Sequence, residues 1–380
     1  GRPFVVETGK MCSLSNGSCM VRYGETSVLC NVTMSEKPRD GIDFFPLSVD
    51  FEEKLYAVGR IPGSFMRREG RPGEKAILTS RVVDRPIRPL FPKDMRNDVS
   101  VVMTVMSVDH DCSPEIAGII GTSIALSISD IPWKGPIAGL FMGLVGDEII
   151  INPTLAQREE SDLQLTVAAS EEKIVMIEAG ANEVDEDTML KAIDMAHVEC
   201  KKIISFINEI VAAIGKPKKE FQSVELDHDL FEAVKAEFLD DFKLAMDTDD
   251  KNVRDARLVP IRERIEEKYL EAQGAATIET IMYKMQKFVV RRWLLDEGKR
   301  VDGRGINEIR PLSAEVGLLP RAHGSGMFTR GQTQVLTVAT LSNSRDAQII
   351  DDIGTEDSKR YLHHYNFPPY SVGEARGLRS

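Results

Sequence analysis

No two of the five cysteines (Cys12, Cys19, Cys30, Cys112 and Cys200) stand as a CxxC pair, and their number is odd. That excludes a disulfide framework or structural zinc site legible in the sequence, and points to a reducing compartment. None of the six histidines (His110, His197, His228, His323, His363 and His364) has HExxH spacing. Asp109-His110-Asp111-Cys112 comes nearest to a metal cluster and reads as a polar loop. Walker-type and GxGxxG phosphate loops are absent. No signal peptide is evident, nor any run of roughly 18 apolar residues. The 113–132 segment comes closest, but Ser, Thr and Glu interrupt it, so it reads as a buried helix. These absences predict a soluble, cytoplasmic protein with no membrane partner. Positive charge is also short: 48 Lys and Arg against 60 Asp and Glu leave a net charge of −12. Any nucleic-acid site must therefore be a local basic patch on an acidic body.

What is present is enough for a large core. Apolar residues make up 42% of 380, which fits two or three folded domains. Residues 1–184 read as mixed α/β. Leu47, Val49 and Phe51 alternate with polar positions, a strand pattern, and 99–108 is rich in β-branched residues. Gly146-Asp147 between two apolar runs predicts a hairpin. Helices are expected over 74–90 and 113–130. From 185 to 298 the pattern becomes helical. Asp185 and Asp187 suit a cap and an acidic first turn, apolar residues recur at three- and four-residue steps to Ile214, and Gly215 and Pro217 end the run. Stretches 228–246 and 258–292 continue in that style. Between 225 and 250 there are ten acidic residues and two lysines, which reads as a solvated helical face. This middle block is expected to be an all-helical connector.

Strand-like sequence resumes from 299, and there the chain repeats itself. Gly17-Ser18-Cys19-Met20-Val21-Arg22-Tyr23-Gly24-Glu25-Thr26-Ser27-Val28-Leu29 aligns without gaps on Gly324-Ser325-Gly326-Met327-Phe328-Thr329-Arg330-Gly331-Gln332-Thr333-Gln334-Val335-Leu336, a shift of 307 residues. Arg2-Pro3 pairs with Arg310-Pro311 after one inserted residue. A repeat of that length is a duplicated domain rather than a solenoid unit. The second copy, 299–380, is shorter than the first, and is expected to lean on a partner for stability.

Between positions 60 and 96 ten basic residues face four acidic ones, and eight of the ten are arginines. Guanidinium groups fork onto phosphates and stack on bases. Phe65 sits beside Arg67 and Arg68 between Gly63 and Gly70, with Arg71 following. A ring among arginines on a loop suits single-stranded RNA. Arg81, Arg85 and Arg88 fall on one helical face, with Pro86 expected to kink the helix. The competing reading pairs these arginines internally with Glu69, Glu74 and Asp84. His364, with His363 beside it, is a further candidate to face RNA.

Four segments carry a resemblance to polynucleotide phosphorylase. They are Gly59-Arg60-Ile61-Pro62-Gly63-Ser64-Phe65-Met66-Arg67-Arg68-Glu69-Gly70-Arg71-Pro72, Asp84-Arg85-Pro86-Ile87-Arg88-Pro89-Leu90-Phe91-Pro92, Arg300-Val301-Asp302-Gly303-Arg304-Gly305 and His364-Tyr365-Asn366-Phe367-Pro368-Pro369-Tyr370. The resemblance implies an α/β (α+β) chain: a first RNase PH-like domain of the ribosomal protein S5 domain 2-like fold (1–184), an all-α domain (185–298) and the start of a second RNase PH-like domain (299–380). It implies a homotrimeric ring, single-stranded RNA threading its channel, phosphorolysis from the 3′ end in mRNA degradation, inorganic phosphate as co-substrate, Mg2+ and RNA-degradation complex partners. The family's channel loop maps to Phe65, Met66, Arg67 and Arg68; Met66 stands where the family often has a second Phe. The family's phosphate and metal sites lie in the second copy, beyond the residues present here. In the first copy Ser113-Pro114-Glu115 replaces a serine-rich helix start, and Asp162, Gln164 and Thr166 replace an Asp-x-Asp-x-Lys pattern. The first copy is therefore expected to be catalytically silent, and the 380 residues alone inactive.

Overall fold

A computed structural model describes residues 2–39, 41–42, 44–63, 65–221 and 227–378. Ser64 of the loop motif, Glu225 of the acidic run and Ser380 lie outside the described residues. The chain divides into two compact units, 1–223 with 347–380, and 224–346.

In the first unit, strands β1 (Phe4–Glu7), β2 (Gly17–Tyr23), β3 (Thr26–Pro38), β4 (Leu47–Glu53), helix α1 (Glu74–Ile87) and strand β5 (Asn97–Ser107) come first. The strands form one sheet in the order β1-β2-β3-β5-β4, antiparallel except for the parallel β4–β5 pair. Helix α2 (Pro114–Ile128) follows, then strands β6 (Ala138–Val145) and β7 (Glu148–Ile151), helix α3 (Leu155–Glu160), strands β8 (Leu163–Ala169) and β9 (Ile174–Ala181), and helix α4 (Glu186–Ile214). The second sheet runs β7-β6-β8-β9. Every residue from Ile116 to Ile128 is buried, because α2 packs on β2 and β3 of one sheet and on β6 of the other. A helix apolar all round is a core helix, as its sequence predicts. The strand, helix and hairpin expectations for 47–51, 74–90, 99–108 and 140–152 correspond to β4, α1, β5 and β6–β7, with boundaries moved by up to three residues.

Asp185 caps α4 by accepting the Thr188 N–H at 2.9 Å. The stripe Ala192, Ala196, Cys200, Ile204 and Ile207 is buried, and α4 packs on α2, β6 and β8. The sequence boundary at 184/185 separates this helix from that sheet; the structure joins them, because the apolar stripe needs the sheet face to leave water.

The second unit holds α5 (His228–Met246), α6 (Lys251–Gln273) and α7 (Ala275–Arg292) around Phe238, Phe242, Ile265, Ile281 and Met285. The stretch expected as one helical run over 258–292 is two helices. Asp250 caps α6 from Lys251 onward, and Gly274, at φ +77°, breaks the chain before α7. Strands β10 (Leu312–Val316), β11 (Gly324–Arg330) and β12 (Thr333–Ala339) form a three-stranded antiparallel sheet in the same unit.

The repeat is reproduced bond for bond. Tyr23 pairs with Thr26 and Phe4 with Tyr23; Arg330 pairs with Thr333 and Leu312 with Arg330. Gly24, at φ +58°, donates its N–H to Pro3 O at 3.0 Å, and Gly331, at φ +59°, to Pro311 O at 2.9 Å. Both turns need the left-handed conformation that glycine adopts without steric cost. After β12 the chain returns to the first unit. There β13 (Gln348–Ile349) and β14 (Ser358–Lys359) form a short clip, and Ile353 at its tip is 3% exposed within the main core.

Candidate nucleic-acid interface

The basic loop leaves the sheet after β4. A single 3-10 turn, Leu55–Val58, ends at Gly59, and Arg60 N–H bonds back to Leu55 O at 2.9 Å. Glu69 folds the far side of the loop inward by accepting the Leu55 N–H at 3.0 Å. Between these tethers the side chains point outward: Phe65 is 98% exposed and Met66 70%. Arg67 takes a left-handed backbone, φ +49°, and its guanidinium reaches Pro62 O at 3.3 Å. Arg68 and Arg71 are exposed on the same loop. Among the described residues Arg71 makes no ion pair, and neither does exposed Arg81 on α1.

Arg85 and Arg88 are committed elsewhere. Arg85 pairs with Glu178 of β9 and also bonds Ile177 O at 3.3 Å. Arg88 holds Asp84, one turn back, with Nε at 3.0 Å, and reaches Leu47 O at 3.1 Å where β4 begins. These two arginines link α1 to both sheets, so two of the three guanidiniums expected in one row have protein partners in this structure. Pro86 sits inside α1, which tightens to a 3-10 turn at Arg88–Leu90 two residues later. His364 is exposed in the 361–368 stretch; Tyr361 and His363 meet edge-on with ring centres 6.3 Å apart.

The start of α2 is where an anion would bind if the first copy carried a phosphate cradle. Its own residues fill it. Ser113 Oγ accepts the N–H groups of Glu115 at 3.2 Å and Ile116 at 3.4 Å, and its hydroxyl bonds the Glu115 carboxylate. Lys75 lies 3.8 Å from that carboxylate. Glu53, at the end of β4, is pushed up to about 7, first by burial and then by the nearby negative charge of Asp352, against the opposing pull of Lys75. Just before β8, Asp162 accepts from Asn182 at 3.2 Å, and on the strand Gln164 and Thr166 stand where a second carboxylate and a lysine would be needed. One tethered carboxylate with an amide and a hydroxyl does not fit a magnesium site, which wants oxygen ligands of higher charge in an octahedron. No group of three His, Cys, Asp or Glu that could hold a metal ion occurs among the described residues. No described helix is long and apolar enough to cross a membrane.

Sequence reasoning found the exposed loop but missed its anchors. Asp351 and Asp352, at the tip of the β13–β14 clip, bond the loop's first residues, and nothing local marks them. The sequence also treated the helical block as a connector.

The 3′ exoribonuclease family, domain 1, matches residues 1–132 and again 308–380, the two copies of the repeat. Domain 2 of the same family matches 135–199, which spans the second sheet and the start of α4. The model described as the RNA binding domain of polyribonucleotide nucleotidyltransferase matches 229–305. The polyribonucleotide nucleotidyltransferase of Ruminiclostridium cellulolyticum is 57% identical over all of this chain and 54% of its own length. Polyribonucleotide nucleotidyltransferase 1 of Alkaliphilus metalliredigens is 54% identical, again over 100% of this chain and 54% of that protein. The protein of that name from Heliobacterium modesticaldum is 52% identical over the same shares. This chain thus spans about half the length of the curated relatives it matches. With the domain 1 model covering both copies of the repeat and identity above one half along every residue, the chain belongs to the 3′ exoribonuclease family and matches an amino-terminal portion of its polyribonucleotide nucleotidyltransferases.

Proposed function

We propose that this chain supplies the RNA grip of a phosphorolytic 3′ exoribonuclease, and that the grip is the 65–71 loop. The observation that carries the reading is an exposed ring, Phe65, beside Met66 and three exposed arginines on a loop whose base is tethered. Bases stack on the ring while guanidiniums neutralise the strand. Arg81 extends the basic surface and His364 adds a polar aromatic contact. Arg85 and Arg88 act by holding α1 in place, as their ion pairs favour. In the assembled enzyme the loop lines the channel of a homotrimeric ring in the cytoplasm. Inorganic phosphate attacks the 3′ end and nucleoside diphosphates leave, in the course of mRNA degradation. The matched helical domain, by the description of its family model, adds RNA contacts of its own.

The first copy takes no part in the chemistry on this reading. Glu115 at the start of α2 repels phosphate, and the Asp162, Gln164 and Thr166 set offers magnesium too little charge. Mg2+ and phosphate belong with the second copy, and the 380 residues bind RNA without cleaving it. The test is a poly(A) experiment in two parts. Arg67→Ala with Arg68→Ala should weaken binding and lower the slope of log affinity against log salt by about 1.4, at roughly 0.7 per phosphate contact on a single strand. An unchanged slope overturns the loop assignment. Release of nucleoside diphosphate by the 380-residue chain with phosphate and Mg2+ overturns the silent-copy assignment.

A further inference from the structure

The loop that meets solvent at Phe65 is held at both ends by one clip. The Asp351 carboxylate accepts from Arg60 Nη2 at 2.5 Å through one oxygen and from the Gly63 N–H at 3.1 Å through the other. Arg60 Nη1 also donates to Asp352 O at 3.0 Å. At the far end Lys359 Nζ meets the Glu74 carboxylate at 2.7 Å, where the loop enters α1. Ile353 sits between these contacts, 3% exposed in the core, so the clip cannot slide without exposing it. The loop belongs to the first copy of the repeat; the clip follows β12 of the second.

A loop with exposed side chains needs such fixing. Each rotamer-rich side chain and each free backbone residue ordered on binding costs affinity, and a loop already held in one conformation avoids part of that cost. A carboxylate bridging a guanidinium and a backbone N–H fixes both the direction of the chain at Arg60 and the peptide plane at Gly63. A lone surface ion pair would contribute little. The backbone bond is what turns this pair into a hinge stop.

We propose that Asp351 is a positioning residue for the RNA-gripping loop, so that the second copy sets the conformation in which the first copy holds single-stranded RNA. This deepens the loop reading and rests on it. Asp351 touches no RNA. It acts by holding residues 60–63 still.

The experiment uses the 380-residue chain with Asp351→Ala, Asp351→Asn and the Arg67→Ala, Arg68→Ala double variant. Amide exchange across 60–72 is measured without RNA, and oligo(A) affinity is measured as a function of salt. Asp351→Ala should speed exchange at Gly63 and its neighbours while the thermal melt stays in place. It should also weaken oligo(A) binding on the order of fivefold, with the salt slope kept, since no phosphate contact is removed. Asp351→Asn keeps an acceptor and should fall between. Wild-type exchange and affinity in Asp351→Ala, alongside weakened binding in the arginine variant, overturn the positioning role. Faster exchange in Asp351→Ala with unchanged RNA binding in the arginine variant upholds the clamp and overturns the RNA reading of the loop. A salt slope lowered by Asp351→Ala to the level of the arginine variant overturns the proposal, since that result requires lost phosphate contacts.

Discussion

The two copies of the repeat carry the same hairpin in two environments. In the first copy Val28 is 0% exposed under α2; its counterpart, Val335, is 46% exposed. Leu29 and Leu336 differ in the same way, 8% against 52%. Thr26 is fully buried and donates to Cys112 O at 2.7 Å while accepting from the Asp109 N–H; Thr333 is exposed. Strand pairing, turn and register are nevertheless the same. Local sequence therefore sets the hairpin, and the surrounding elements decide whether its residues carry stability. A buried residue's worth is a property of what is laid over it.

The sharpest way to break the comparison is to place one charge in both copies. Val28→Asp buries an unpaired carboxylate among packed side chains and should cost roughly 4 kcal/mol or more, unfolding the first unit in urea or heat. Val335→Asp places the same charge at an exposed strand position and should cost no more than about 1 kcal/mol. Equal effects would show that β12 is covered in solution. A smaller difference is expected at the shared turn. Gly24→Ala and Gly331→Ala both force a side chain into the left-handed region, at about 1 kcal/mol each. Gly24→Ala should cost more, because its Cβ would stand 2.5 Å from Cys112 Sγ, whereas at Gly331 it meets the flexible Arg310 side chain at 2.9 Å. Paired thermal melts would show the gap. A further effect is one of pH, and it belongs to the first unit. Glu53 titrates near 7 when folded, above the ordinary value of 4.5, so the folded chain holds a proton that the unfolded chain has released. Stability at Glu53 is full below about 4.5 and falls as pH rises through 7. Glu53→Gln should flatten that slope between pH 5 and 8, and a slope unchanged in the variant would remove Glu53 as its source.

Much of this fold is legible in the chain. The apolar stretch at 113–130 announces a core helix, Asp185 announces a cap, and the paired glycines at 24 and 331 announce identical turns. The exposed loop is legible through composition, since arginines cluster around Phe65 between Gly63 and Gly70 in an otherwise acidic chain. Other features are not. Arg85 sits on the face that periodicity predicts, yet Glu178, far off in sequence, pairs with it; Arg88 takes Asp84, the near partner the sequence offers, and also reaches the distant Leu47 O. The helical run from 258 hides its break, because Gly274 is a single residue in a strongly helical context.

The sequence by itself determined the elements, the duplication and the chemistry on offer at 60–71. Those depend on neighbours within a few residues: hydrogen bonds to i−4, capping side chains, turn glycines and alternation. Only the tertiary structure decided which arginines remain available, that α4 joins the sheet before it, and that Asp351 holds a loop almost three hundred residues earlier. Such contacts form between surfaces that come together after the chain has folded, and a charge reads the same in sequence whether its partner is water, a strand or a distant carboxylate.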